Sequence, residues 1–276
     1  MRTSRVAGLV AGVMVLVASG QAFTHDMFLK SDNYFFNPGS TETLILVNGT
    51  FQKSGNGTPH DRMQDVSIAG DDRLVHPTAA NWTAANSASY LKFTTGVAGT
   101  YVAGVSTKPK MIVLKAEDFR NYLKHDGVPD TLAAFDTAPH PEKVRERYSK
   151  HVRAIFQVGD TRTPDFARPL GYPVEIILKN NPYQLKVNDE ISFQVLYKGE
   201  PVANQFVKAS HAGFHGHDAS SEHLSAYQLR TDENGIASFK ITKPSVWYIT
   251  MIHMLKVSEP EVDYESNWAT VTFQVK

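Results

Sequence analysis

The chain has 276 residues, with 28 basic and 28 acidic side chains, 11 histidines and no cysteine. The missing cysteine excludes a disulfide framework, thiolate metal sites and a lipid-modified N-terminal cysteine, and the near-zero net charge offers no footprint for nucleic acid or an anionic membrane. A length prior of roughly 100–200 residues per domain points to two units.

Arg2 and Arg5 precede an apolar run from Val6 to Val17, and Ser19, Gly20, Gln21 and Ala22 follow as a small-residue exit. This is the pattern of a secretory signal peptide over residues 1–22. The run is too short to cross a hydrocarbon core of about 30 Å, and no later stretch approaches the roughly 20 apolar residues of a span. The expectation is a soluble exported protein, and absence of disulfides at this size fits a bacterial periplasm. In that compartment the Asn-x-Ser/Thr matches at Asn48, Asn56 and Asn81 read as chance.

Residues 23–115 read as short strands separated by turn chemistry, with Thr43 to Val47, Leu91 to Thr94 and Thr100 to Val105 as the clearest runs. β-Branched and aromatic residues punctuated by Gly, Asn and Pro are the strand signal, so an antiparallel β-sandwich is expected. Residues 116–170 form a helical connector and linker. Glu117 to Leu123 is expected as a short helix, and Pro141 to about Phe156 as a longer one. In the second, Val144, Tyr148, Val152 and Ile155 recur at helical spacing behind a proline suited to a first turn.

Residues 171–276 return to strands: Val174 to Leu178, Glu190 to Tyr197, Gln205 to Ala209, Ala237 to Ile241, Trp247 to Met251 and Ala269 to Val275. Their length and spacing suggest an immunoglobulin-like sandwich. The fold expected is mainly β, two antiparallel β-sandwich domains joined by a short helical connector.

Several segments together carry a resemblance. They are His25-Asp26-Met27-Phe28-Leu29, Gly171 to Ile176, the turn Thr231 to Gly235, Ile252-His253-Met254, and Asp263 to Phe273. Across essentially the whole mature chain the sequence resembles a bacterial periplasmic family of unknown function, often described as a nickel-uptake component. Its C-terminal part is described as immunoglobulin-like or carboxypeptidase-regulatory-like. The resemblance implies metal handling in the envelope beside an inner- or outer-membrane metal transporter.

The candidate ligands are histidines. Cleavage after Ala22 would place His25 third in the mature chain, where an amine, two amides and an imidazole can form the square-planar nitrogen set that copper(II) and nickel(II) favour. Cleavage after Thr24 would instead expose His25 itself, whose amine and ring can chelate together. The opposed reading is that His25 only opens the first strand. The segment His211-Ala212-Gly213-Phe214-His215-Gly216-His217, with His223 beyond it, is the second candidate. Residues two apart in an extended chain share a face, so His215 and His217 can bind one ion, with His211 brought in through the glycines. A solvated polar loop is the bland alternative.

His253 is the third candidate. Alternation puts it on one face with Met251, a pairing that suits copper, against the alternative of a buried imidazole bonded to a carbonyl. His25 and His253 lie in the two ends of the family pattern and are expected to approach each other. His60, His76, His125, His140 and His151 read as structural or solvated.

The metal set is therefore His25, His211, His215, His217 and His253, for nickel or copper in preference to zinc. No Gly-x-Ser-x-Gly, His-Glu-x-x-His or phosphate-loop motif occurs, and Glu261, Asp263 and Glu265, expected in a loop after His253, have no assigned acid or base role. A non-catalytic metal-binding accessory protein is the preferred expectation. A structural or carbohydrate-associated envelope module is the alternative.

Overall fold

The computed structural model describes residues 26–217 and 223–276. The expected signal peptide and His25 lie outside them. In chain order the first half holds β1 (Met27–Lys30), β2 (Phe35–Phe36), β3 (Thr41–Asn48), β4 (Met63–Gly70), β5 (Arg73–Val75), β6 (Trp82–Ala85), β7 (Ala88–Thr94), β8 (Gly99–Thr107) and β9 (Lys110–Lys115). Two helices, α1 (Ala116–Asp126) and α2 (Pro129–Thr137), lead into the long β10 (Lys143–Val158). The second half holds β11 (Val174–Leu178), β12 (Glu190–Tyr197), β13 (Glu200–Pro201), β14 (Phe206–His211), β15 (Gly216–His217), β16 (His223–Leu224), β17 (Tyr227–Arg230), β18 (Ile236–Lys240), β19 (Ser245–Glu259) and β20 (Val262–Val275). The protein is mainly β, as its composition of strand-forming runs and turns implied.

A ten-stranded sheet is the middle layer, ordered β17-β14-β19-β20-β10-β8-β4-β5, with β2 and β9 also paired to β10. Its two halves meet where β10 pairs parallel with β20, Glu146 opposite Tyr264 through Ala154 opposite Thr272. Alternation sends successive side chains of β10 to opposite faces. Val152, Ala154, Phe156 and Val158 pack under the sheet β1-β3-β7-β6 with Met27, Leu29, Leu44, Leu46, Leu91 and Phe93. Ile155 faces the other way, into a core shared with Val174, Ile176, Phe193, Trp247, Ile249 and Val271 beneath β11, β12 and β18. In both packings sheets stack face to face, and their ladders are antiparallel except where β10 runs parallel to β20 and β2.

The segment around Val144 to Ile155 corrects the helical expectation, because it is strand β10 and not a helix. Spacings of four satisfy a period of two as well as 3.6, so Val144, Tyr148 and Val152 share a face in either state. What decides the matter is Ser149 to Val158, buried without interruption because both faces of this strand are covered. The expected helix at Glu117 to Leu123 is present within α1. Phe119, Tyr122 and Leu123 are buried at helical spacing, and Gly127, at φ +81°, ends the helix with its N–H on the Leu123 carbonyl. These side chains pack with Val144, Ile252, Tyr264 and Trp268 on the end of the sheet that β1 and β3 leave uncovered.

Glu261, Asp263 and Glu265 were expected in a loop, but β19 runs on to Glu259 and β20 begins at Val262. Asp263 and Glu265 stand on β20 and bind Arg145 and Arg147 of β10, the first through Arg145 Nη2 at 2.9 Å.

Candidate functional site

Strands β14 and β17 pair antiparallel, with Val207 opposite Leu229 and Ala209 opposite Tyr227, at one edge of the large sheet. Beyond His211 the chain leaves the sheet and returns at Tyr227. Gly213, at φ +73°, supplies the left-handed step that turns it outward. The root is fixed by Ala212 N–H on the Val246 carbonyl at 2.8 Å and Phe214 N–H on the His211 carbonyl at 3.1 Å. His211 is buried there. Its ring meets Trp247 edge-on at 4.8 Å and Phe214 at 5.4 Å, and Nδ1–H donates to the Ala212 carbonyl at 3.0 Å. It therefore holds the base of the excursion.

Past the root, β15 and β16 form a two-residue antiparallel ladder in which Gly216 faces Leu224 and His217 faces His223. His215, exposed, precedes His217 by two residues. The ladder thus joins His223 to the pair His215 and His217 by register. The sequence showed only a histidine some way further on.

His253 lies elsewhere. It is six residues along β19 from Trp247, the residue paired with His211, a separation of roughly 20 Å at about 3.3 Å per residue. Its Nδ1–H donates to Gln205 Oε1 at 3.0 Å, its ring leans on Tyr197 at 4.5 Å, and burial pulls its pKa down against the opposing pull of Glu265. Met251 shares its face but is a core residue. Asp26, the first described residue, sits across the sheet from it. Thr270 of β20 donates to the Met27 carbonyl at 2.8 Å on the face under β1, whereas His253 is paired with Asn267, whose side chain takes the opposite face. Strand β1 therefore packs on the face of β20 opposite the one that carries His253, and the expected approach of His25 to His253 lies outside the described residues.

A set of enclosed polar groups on β10 carries no signal in the sequence. Glu146 is fully buried. One carboxylate oxygen accepts Tyr122 Oη–H at 3.1 Å and also Ser266 Oγ–H, while the other has no partner, and burial pushes its pKa up to about 7. Lys150 Nζ donates to Asn48 Oδ1 at 2.9 Å and stands 5.2 Å over the Trp268 ring. Burial lowers its pKa to about 8 against the carboxylates of Asp26 and Asp126. His151, placed on a helix face by the sequence reading, bonds Asn267 Oδ1 through Nε2 at 3.1 Å and Ser106 Oγ through Nδ1 at 2.9 Å, and burial lowers its pKa to about 4. The donor and acceptor geometry makes it a neutral core imidazole. Strand alternation, once β10 is known to be a strand, is the signal that separates Glu146 and Lys150 from His151.

Among the described side chains outside residues 217–224, no group of three or more His, Asp or Glu is arranged to hold a metal ion. No described helix is long and apolar enough to cross a membrane.

Among solved structures, trypsin-activated alpha-2-macroglobulin from Escherichia coli is similar at 14% identity over 92% of this chain and 16% of its own, with a TM-score of 0.22. The elastase-activated form aligns at 14% identity over 92% and 20%, TM-score 0.25. The chain thus spans at most a fifth of those macroglobulin chains. The teleost fish polymeric Ig receptor ectodomain aligns at 9% identity over 90% and 98%, TM-score 0.19. No curated protein matches the chain. The model of one family covers residues 22–255, and the chain belongs to that family, the domain of unknown function DUF4198.

Proposed function

We propose that this protein is an exported, non-catalytic metal-handling protein that captures a divalent transition metal, nickel(II) or copper(II), on the histidine hairpin of residues 215–223. The observation that carries this reading is the register of β15 with β16, which sets His217 opposite His223. Histidines at directly opposite positions of an antiparallel pair can chelate one ion, and His215 supplies a third nitrogen from two residues before His217. An all-imidazole set without thiolate suits nickel and copper, and copper(II) outranks zinc in affinity for such a nitrogen site. The buried His211 acts as a positioning residue, since its ring fixes the root on Trp247.

The signal-like segment before residue 23 supports a periplasmic location, and the resemblance to nickel-uptake components supports delivery of the ion to an envelope transporter. Residues 23–115 and 171–276 act as two sandwich units, the second immunoglobulin-like, that share the long sheet and hold the hairpin at its edge. His25 offers a separate amine and imidazole set, which the processing site decides.

Calorimetric titration of nickel(II) and copper(II) into the processed protein tests this. One ion per chain is expected, with binding lost in His217→Ala/His223→Ala and kept in His253→Ala. Unchanged binding in the double variant would assign the ion to the N-terminus instead, and the hairpin reading would fall.

A further inference from the structure

At the edge of the large sheet away from the histidine hairpin, a pocket of about 330 Å³ opens between the β4–β5 hairpin and the end of β7. Its inner wall is apolar and rigid. Tyr101 stacks on Phe156 at 5.6 Å with an 8° interplanar angle, and Phe93 leans on the same ring at 5.4 Å. A Cβ on Gly70 would collide with the Tyr101 ring and one on Gly96 with its hydroxyl, so both glycines are needed to seat it. The polar groups of this wall are already bonded. Tyr101 Oη–H donates to the Val97 carbonyl at 2.9 Å, Asn81 gives Nδ2–H to the Lys92 carbonyl and takes Thr78 N–H on Oδ1, and Thr95 Oγ–H goes to the Asn37 carbonyl. A body that enters this space must itself be apolar.

The mouth, in contrast, carries charge of both signs. Arg73 Nε and Asp71 Oδ2 stand 3.7 Å apart, too far for a hydrogen bond, with side chains 77% and 36% exposed, so neither spends its hydrogen-bonding capacity on the other. Burial raises the Tyr101 pKa, and the Asp71 carboxylate adds to that rise, with Asp165, while Arg73 opposes it, so both heads of the mouth lie close to this ring. His76 is oriented by Asp65. Its Nδ1–H donates to Asp65 Oδ1 at 3.0 Å, and the other oxygen of that carboxylate accepts Ser67 Oγ–H at 2.5 Å and Tyr172 Oη–H at 2.9 Å. With the proton on Nδ1, the neutral ring presents Nε2 as an acceptor. The mouth thus offers two acceptors, the Asp71 carboxylate and His76 Nε2, beside one guanidinium donor.

A purely anionic ligand would face the Asp71 carboxylate, and a purely cationic one the Arg73 guanidinium. An ammonium and a carboxylate on one carbon answer both. We propose that this pocket binds a free α-amino acid with a large apolar side chain, its ammonium on Asp71 and His76, its carboxylate on Arg73 and its side chain against Phe93 and Tyr101. The charged end stays at a hydrated mouth, so binding buries no uncompensated charge, while the side chain leaves water for the apolar wall. The volume lies in the range of small-molecule sites, and an apolar wall with a few convergent polar groups is their usual construction. A planar guanidinium matches a carboxylate with two parallel hydrogen bonds, which fixes the orientation of the head. The site is independent of the metal-handling reading.

The test is calorimetric titration of the full chain, in metal-free buffer, with L-phenylalanine and three probes that each lack one part of it. These are N-acetyl-L-phenylalanine without the ammonium, L-phenylalaninamide without the carboxylate, and glycine without the side chain. Phenylalanine is expected to bind at one per chain, and each probe at least about tenfold more weakly. Asp71→Asn keeps a residue that tolerates the φ of 53° at this turn, and should bring phenylalanine down to the level of the N-acetyl compound without weakening that compound. Arg73→Gln should bring phenylalanine down to the level of the amide without weakening the amide. Each substitution is thus matched to one end of the ligand, a pattern that a misfolded variant does not produce. His217→Ala/His223→Ala should change nothing, so failure of the hairpin reading and failure of this one are distinguishable. Absence of phenylalanine binding, equal binding of any of the three probes, or phenylalanine binding that survives both Asp71→Asn and Arg73→Gln would overturn the proposal.

Discussion

Arg153 and Glu175 meet at 2.7 Å in an enclosed ion pair that ties β10 to β11, with side chains 2% and 5% exposed. The carboxylate also accepts the Leu170 and Gly171 amides at 2.8 and 3.1 Å, and the guanidinium reaches the Arg168 carbonyl at 2.8 Å. Removing one partner of a buried pair costs more than the pair itself contributes, because the other charge stays behind. Glu175→Ala strips the acceptor from the guanidinium and two amides together, and should destabilise by about 3–5 kcal/mol. Arg153→Met leaves the carboxylate with its two amides and should cost less. Urea unfolding of the two variants checks the order.

Glu146 and His151 give opposite pH slopes. Glu146 has a folded pKa raised to about 7, so its contribution is fully present below its unfolded value and is lost as pH rises through 7. His151 has a folded pKa lowered to about 4, so its contribution is present above its unfolded value and is lost as pH falls through 4. Between about pH 4.5 and 6.5 the two nearly offset each other, each displacement being on the order of 3 kcal/mol. Glu146→Gln should expose an acid-side loss, and His151→Gln a loss toward neutral pH. Unfolding midpoints of both variants across that interval read the two slopes.

Lys150 adds an alkaline signature. Its folded pKa is lowered to about 8, so the cost of enclosing its ammonium is present below that value and disappears toward its unfolded pKa. The stability of Lys150→Met relative to the parent should therefore fall as pH rises from about 8 to about 10.5. A thermal melting series over that range shows the gap closing if the ammonium is enclosed as described.

His253→Ala should cost about 1 kcal/mol, the worth of its bond to Gln205, with no change in metal affinity. A denaturation curve beside a nickel titration of the same sample checks both halves.

Most strands could be read from the sequence because their alternation and turn residues agree, as in Thr43 to Val47 and Val174 to Leu178. Strand β10 could not, because a segment covered on both faces loses alternation and Val144, Tyr148 and Val152 fit either period. The parallel ladder of β10 with β20 joins residues about 118 apart in sequence, Glu146 with Tyr264, and no local pattern encodes it. The same holds for the site. His215 and His217 stood out as a close pair, but bringing in His223 needed the register of a two-residue ladder. His211 and His253 looked like ligands until their neighbours Trp247 and Gln205 were known.

X-ray absorption of the nickel(II)-loaded, processed protein tests the hairpin most directly. Imidazole scattering from two or three histidines is expected in the parent, and His217→Ala/His223→Ala should retain no imidazole-bound nickel. The same imidazole shell in the double variant, or no imidazole scattering in the parent, would contradict the hairpin site.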